Sequence, residues 1–367
     1  MVTDKTTSQS NGEGPSGKVP DDLEFLCYDD GIPQEIEKLL EDLYQSVYCV
    51  PEYFRLFKPL MAAKALVIKE PGSKTVHVFF YAVTGREAIL LNELFDVGQL
   101  YLNHFTDYLF KKYPPVTSIT LERIKDRPDG SFLPYRIWRT SEDIVIKLPP
   151  TLSEYRSSLG KHTKRNLSNY FNRLQRVYPD FRFEITRTER DHSELARKVI
   201  AMNRLRMESK RIRSGFDLDV EERVIGLCER YGFTGTIFLN GEVVAGTIVY
   251  QVGNHSFLEI VSHDPAYNND RVGQVCLYLT IKEAIERGQK VFHLLWGKNE
   301  YKYLFLGEKH EIFSASIYRS KYHKACSLPR AIMTRLRFFA LQQIPYWMNK
   351  YVLNPVPHGG TAGGIGG

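Results

Sequence analysis

Residues 255–302 hold the densest set of side chains able to do chemistry. The stretch runs from His255 through Glu259 to His263, then Asp264-Pro265-Ala266-Tyr267 and a loop ending Arg271-Val272-Gly273. An amphipathic pattern from Gln274 to Arg287 predicts a helix that Gly288 stops, and the apolar run Val291 to Trp296 predicts a strand before Gly297 and Tyr301-Lys302. The unit is strand, loop, helix, strand, with a glycine where loop becomes helix. A helix N-terminus presents unpaired N–H groups and about half a positive charge. Glycine lets a phosphate approach that backbone, so Arg271, Val272, Gly273 and Gln274 read either as a pyrophosphate cradle or as a plain turn. Glu259 lies between Leu258 and Ile260. It is either the solvent-facing member of a strand alternation or a partly buried carboxylate with a raised pKa, placed to take a proton from an amine. His263, at the strand's exit, is either a polar rim residue or a second base, since an unperturbed imidazole titrates near pH 6.5.

Other candidates lie outside this unit. The helix from Lys161 to Arg176 carries Lys164, Arg165 and Arg173 and no acid, with Tyr170 and Phe171 among the charges. That composition suits either a solvated face or a groove for an anionic or base-stacking partner. A second basic segment, Arg204 to Arg213, has only Glu208 as counter-charge, and Arg204 and Glu208 are candidate substrate contacts. His293 points into or away from the strand gap according to register. Residues 328–352 are basic, aromatic and amphipathic, and read as a docking helix or as one lying at a membrane face.

These residues must be positioned by a mixed α/β framework. Helical patterns cover 33–47, 51–62, 97–112, 151–178 with a break near Gly160, 191–210, 219–231 and 299–306. Strand patterns cover 64–69, 75–83, 86–93, 116–123, 143–148, 181–188, 234–239, 242–252 and 311–319. Asn240-Gly241 is the strongest hairpin signal. The expected segments are a polar tail at 1–21, a domain at 22–150, a second at 151–325, a helical segment at 326–354 and a Gly-rich tail at 355–367.

At 367 residues with 43% hydrophobic content the chain can fill two cores. No apolar run approaches the roughly 18 residues of a membrane span, and Met1 to Asp21 lacks the apolar centre of a signal peptide. Five scattered cysteines form no knuckle or disulfide spacing, and Cys276 falls on an apolar helical stripe. The expected compartment is the cytoplasm, with contact at the inner membrane face as the variant. A net charge of +6 suits an anionic ligand but does not choose one. No metal site is expected, and no Gly-Lys-Ser/Thr phosphate loop, dinucleotide fingerprint, His-Glu-x-x-His or Gly-x-Ser-x-Gly occurs.

Asp264-Pro265-Ala266-Tyr267, the loop closing on Gly273, the helix ending at Gly288, Gly297 with Tyr301-Lys302, and the basic opening Leu159-Gly160-Lys161 resemble the BioF2-like (CelD/BcsL-type) domain. That domain belongs to the GNAT superfamily of acetyltransferases and is related to the FemAB aminoacyl transferases. The resemblance covers about residues 150–320. It implies transfer from acetyl-CoA or another acyl-CoA to an amine acceptor such as an amino sugar, amino acid or polysaccharide precursor. The thioester would sit between strands 257–262 and 291–296. Tyr301 would protonate the leaving thiolate, or only cover the core, and Lys302 would meet a donor phosphate or an acidic substrate. An aminoacyl-tRNA donor, as FemAB relatives use, is the first alternative, although nucleic acid is not the expected partner. A silent nucleotide-, glycan- or membrane-binding module is the second. The family often has an acid where this chain has His293, and one glycine of the superfamily's doubled pair is missing.

Residues 88–102 echo the later unit, with Val97-Gly98-Gln99 against Val272-Gly273-Gln274. The expected architecture is therefore two tandem GNAT-like modules. The first is degenerate because Asp96 stands where Arg271 stands in the second, and a carboxylate there repels phosphate.

Overall fold

A computed structural model describes residues 23–29, 34–58, 63–70, 76–96, 98–187, 189–211, 214–297 and 300–328. The expected tails and all but Leu328 of the 328–352 stretch lie outside the described residues.

The first half comprises β1 (Glu24–Tyr28), α1 (Gln34–Tyr44), a 3-10 turn at Val47–Cys49, α2 (Pro51–Phe57), β2 (Ala63–Lys69), β3 (Val76–Thr84), β4 (Glu87–Leu90), α3 (Gln99–Lys112), β5 (Ser118–Ile124) and β6 (Tyr135–Lys147). The second half comprises α4 (Leu152–Ser158), α5 (Lys161–Val177), β7 (Arg182–Thr186), α6 (Glu189–Ser209), α7 (Leu218–Tyr231), β8 (Gly232–Leu239), β9 (Glu242–Val252) and β10 (His255–His263). A 3-10 segment at Pro265–Asp270 leads into α8 (Val272–Glu286), β11 (Val291–His293), α9 (Tyr301–Leu304), β12 (Glu308–Tyr318) and α10 (Lys321–Cys326).

All strands join one sheet in the order β1-β2-β3-β4-β5-β12-β6-β11-β10-β9-β8-β7. Among the described strands only β4–β5 and β10–β11 are parallel, and each pair is joined by a crossover helix, α3 or α8, as parallel strands require. The order is a palindrome with an exchange at its centre. β6 follows β5 in sequence yet pairs with β11 of the other half, and β12 follows β11 yet pairs with β5. Two like modules are thus welded into one sheet by swapping their last strands. The expected boundary at residue 150 falls just after β6, and the sheet runs straight through it.

Local physics accounts for most element ends. Asn240 and Gly241 both have positive φ, 53° and 78°, which the tight β8–β9 hairpin needs. Asp217 caps α7 by accepting from the Val220 N–H, and Thr151 caps α4 through the Glu154 N–H. Three differences from expectation matter. β1 carries no clear alternation and was not expected. β6 starts at Tyr135 rather than near 143, because β12 gives its early residues a partner. β11 stops at His293 rather than running to Trp296.

One core lies beneath α6 and α7 and continues into the first half, including Val199, Ile260 and Leu295. Two smaller cores lie beneath α8 on the opposite face, around Leu258 and Leu277 and around Leu174 and Val275. Cys276 belongs to the latter, and burial pushes its thiol up to about 12, an inert core residue. No helix of the described residues is long and apolar enough to cross a membrane.

Candidate active site

The site begins where two parallel strands part. β10 and β11 pair only over His255–Phe257 and Val291–His293. Beyond that point β11's chain turns away, and Leu294 N–H donates to Ile144 O and Ile144 N–H to Leu295 O, both on β6. β10 continues to His263 against β9, with a register shift between Leu258 and Ile260. Glu259 is therefore the extra residue of a β-bulge, which bends a strand and re-aims a side chain. The two departures open a gap in which β10 keeps one backbone edge turned away from β9.

Lys302 maintains that departure. Its ammonium donates to the carbonyls of Leu294, Leu295 and Trp296 at 2.8, 3.0 and 2.6 Å. It is 3% exposed. Burial draws its pKa down to about 8, opposed by Asp143 and Glu142. The expected phosphate contact is thus corrected: all three donors are spent on backbone. Leu295 has φ 54°, a conformation costly for a branched residue, and the lysine offsets that cost. His293 is corrected likewise. It is buried, its Nδ1 meets Asp143 Oδ2 at 2.6 Å, its Nε2 meets His255 Nδ1 at 2.9 Å, and Phe257 stacks on it. No nitrogen remains for a substrate.

Glu259 and His263 lie four residues apart, roughly 13 Å along a strand, so they do not serve one proton. Glu259 sits at the bulge, in electrostatic contact with Tyr53 and Cys228. His263 sits at the strand exit, with Nε2 at 2.7 Å from Asn268 Oδ1. An amide oxygen only accepts, so Nε2 carries the proton and Nδ1 a lone pair. Burial lowers the His263 pKa, with Asn268 opposing it. The ring lies on Gly273, where a Cβ would come within 2.8 Å of Nδ1. The missing side chain makes room for His263, not for a phosphate, which corrects the reason given for that glycine. The N-terminus of α8 remains, with Arg271 in the left-handed region at φ 56° and exposed. Val272 is buried, and Gln274 is half-buried.

Among the basic residues, α6 decides. Two residues apart on a helix is about 200°, so Arg204 and Arg206 cannot share a face. Arg204 donates to Phe216 O at 2.6 Å and pairs with Glu221 at 2.5 Å, locking α6 to α7. Arg206, not singled out in the sequence, instead acts electrostatically on His263 and Tyr301. Glu208 is exposed, and its backbone carbonyl receives Arg211 N–H. Arg165 is exposed on α5, whose buried residues pack on the α8 side of the sheet, away from α6. Burial raises Tyr301 to about 12, with Arg206 opposing it. The structure thus gathers His263, Tyr301 and Arg206 near the gap and places Glu259 at its inner end. It leaves Arg165, Arg204, Glu208, His293 and Lys302 in other roles.

A strand pair that parts at a bulge, beside a crossover helix, is a GNAT arrangement. Residues 161–303 match the family model described as acetyltransferase (GNAT) domain. FemX has a TM-score of 0.60 at 9% identity, with 80% of this chain and 96% of FemX covered. A conserved protein of unknown function from Bacteroides thetaiotaomicron gives 0.51 at 10%, covering 79% of this chain and 99% of that one. No curated protein matches the sequence. Residues 161–303 thus match a GNAT acetyltransferase domain, and the fold over most of the chain is like that of FemX.

Proposed function

We propose that this protein is an acyltransferase that moves an acyl group from acetyl-CoA or another acyl-CoA directly onto an amine. The observation that carries the reading is the gap itself. Among the described residues one edge of β10 has no strand partner from Leu258 to His263, so its backbone groups are available to an extended amide-bearing arm. The arm would lie between the bulge and the N-terminus of α8. Donor phosphates would meet Arg271 and the first N–H groups of α8, from Val272 to Gln274.

At the inner end the acceptor nitrogen attacks the thioester carbonyl, a C–N bond forms and the C–S bond breaks. Glu259 takes the ammonium proton, and Tyr301, kept protonated by its pKa of about 12, gives one to the thiolate. Lys302 acts as a positioning residue that keeps the strands apart. The BioF2-like resemblance favours an amino sugar, amino acid or polysaccharide precursor as acceptor, in the cytoplasm.

A second reading uses aminoacyl-tRNA. It is favoured by the FemX-like fold over most of the chain and by Lys161, Arg165 and Arg176 exposed on one helix. Thermal stabilisation separates the readings. A bound donor at about 100 times its Kd stabilises by roughly 2.7 kcal/mol. Stabilisation by coenzyme A supports the first reading and by tRNA the second. Neither would indicate the silent binding module.

A further inference from the structure

On the α6 side of β10, three polar atoms are sealed from water with no hydrogen-bond partner among the described residues. They are Asn203 Oδ1, Arg206 Nε and Ser262 Oγ. Asn203 is 7% exposed and Ser262 0%. Each such orphan costs about 1–3 kcal/mol, and folded proteins keep few of them.

Their positions converge. A Cβ on Gly246 would come within 2.2 Å of the Val199 side chain, and Gly246 is the register partner of Ser262. Ser262 shares the face of Ile260 by strand alternation, and Ile260 packs in the core under α6. Asn203 follows Val199 by four residues and precedes Arg206 by three, so all three lie on one face of α6. Arg206 in turn acts on His263 and Tyr301. A polar row therefore lies beside the gap on the α6 face of β10, and His263, the next residue, turns to the α8 face.

The charges around the row are unbalanced. Arg206 and Lys210 of α6 and Asp264 of its own chain act electrostatically on His263. Asp264 Oδ1 already accepts from Ala266 N–H. Tyr301 acts on Arg206, and among the described residues no carboxylate does. A half-buried guanidinium on which no carboxylate of the described residues acts is a seat for an anion, which its planar fork binds well.

We infer that Arg206, Asn203 and Ser262 form the acceptor seat, and that the acceptor is an amine bearing a carboxylate or phosphate. Arg206 takes the oxyanion, Asn203 Oδ1 accepts an N–H or O–H of the same molecule, and the Ser262 hydroxyl completes the set. The inference rests on the transferase reading and names its substrate class. The anion is assigned to the acceptor because α8, which faces the donor phosphates, packs on the opposite face of the sheet from α6.

The test uses paired amines: glucosamine 6-phosphate with glucosamine, and phenylalanine with phenethylamine. Calorimetry reads binding, and release of coenzyme A from acetyl-CoA reads transfer. The anionic member of at least one pair is expected to bind about ten- to a hundredfold more tightly. Arg206→Gln should erase that preference without changing acetyl-CoA affinity, and Arg206→Lys, which keeps the charge, should retain part of it. No preference in either pair, or a loss of acetyl-CoA affinity in Arg206→Gln, overturns the proposal. Arg206-dependent binding without transfer to any amine would uphold the seat and sink the transferase reading. Transfer to the neutral amines alone would do the reverse.

Discussion

The two parallel strand pairs began from one pattern and ended opposite. In the first half, the chain after β4 is stitched shut. Leu94 N–H donates to Arg123 O on β5, and Asn92 bonds to β3 through Phe80 N–H and Val78 O. The Glu93 carboxylate, fully buried, holds both Arg123 and Lys58. Burial raises the Glu93 pKa, but the two cations outweigh it and hold it at about 2. In the second half no such plug exists among the described residues. The strand departs toward β6, and Lys302 grips its carbonyls. A hollow of about 210 Å³ survives at the start of α3, lined by Phe95, Gly98, Leu121 and Asp126, but the strand edge beside it is bonded. In the first module the buried cluster of Glu93, Arg123 and Lys58 lies beside the strand pair whose counterpart in the second module parts to leave the gap.

Breaking the plug should give the largest effect. Glu93→Gln strands two cations in the interior and should cost roughly 3–5 kcal/mol of stability. Denaturant unfolding would measure it, and the folded fraction should bind coenzyme A unchanged. Loss of donor binding in that fraction would show that the modules are not separate in function.

Lys302→Met should cost somewhat less, about 2–4 kcal/mol, since three carbonyls lose their donor. Turnover should fall more than stability, because β11's exit is then free to approach β10. Unchanged turnover in the folded variant would remove the lysine from the site.

Gly273→Ala drives a methyl into His263, at about 1–3 kcal/mol, and Gly98→Ala meets only backbone strain at φ 59°, about 1 kcal/mol. Donor affinity should drop in the first alone. Adding His263→Ala to Gly273→Ala should restore stability non-additively, and simple additivity would disprove their contact.

Acid should stress both modules alike. Burial lowers His77, which stacks on Tyr101 in the first, to about 4. Burial, then His293, lowers His255 in the second to about 4. Below the ordinary value near 6.5 the unfolded chain binds protons that these rings refuse. Stability is therefore full above pH 6.5 and is lost as pH falls through 4. His77→Phe should flatten part of that fall in pH-dependent melts. The smallest change is expected on α5, where Arg165→Ala should alter stability by about 0.5 kcal/mol or less.

The sequence alone determined most of the helices and strands, where Asn240-Gly241 turns the chain, and that two like units follow one another. Those features depend on period, turn chemistry and capping within a few residues. It also determined the chemistry on offer at 255–302. The tertiary structure decided the rest. Exchange of β6 and β12 depends on pairing between strands from opposite halves of the chain, and that pairing ended β11 early. Which of Arg204 and Arg206 meets the gap is set by how α6 rotates on β10, a choice that basic composition does not carry. Gly273 announced a close approach, and only the fold showed that His263 makes it. Tyr301-Lys302 read as a pair of site residues. Their adjacency on a short helix sends Tyr301 toward the gap and Lys302 into the backbone that shapes it.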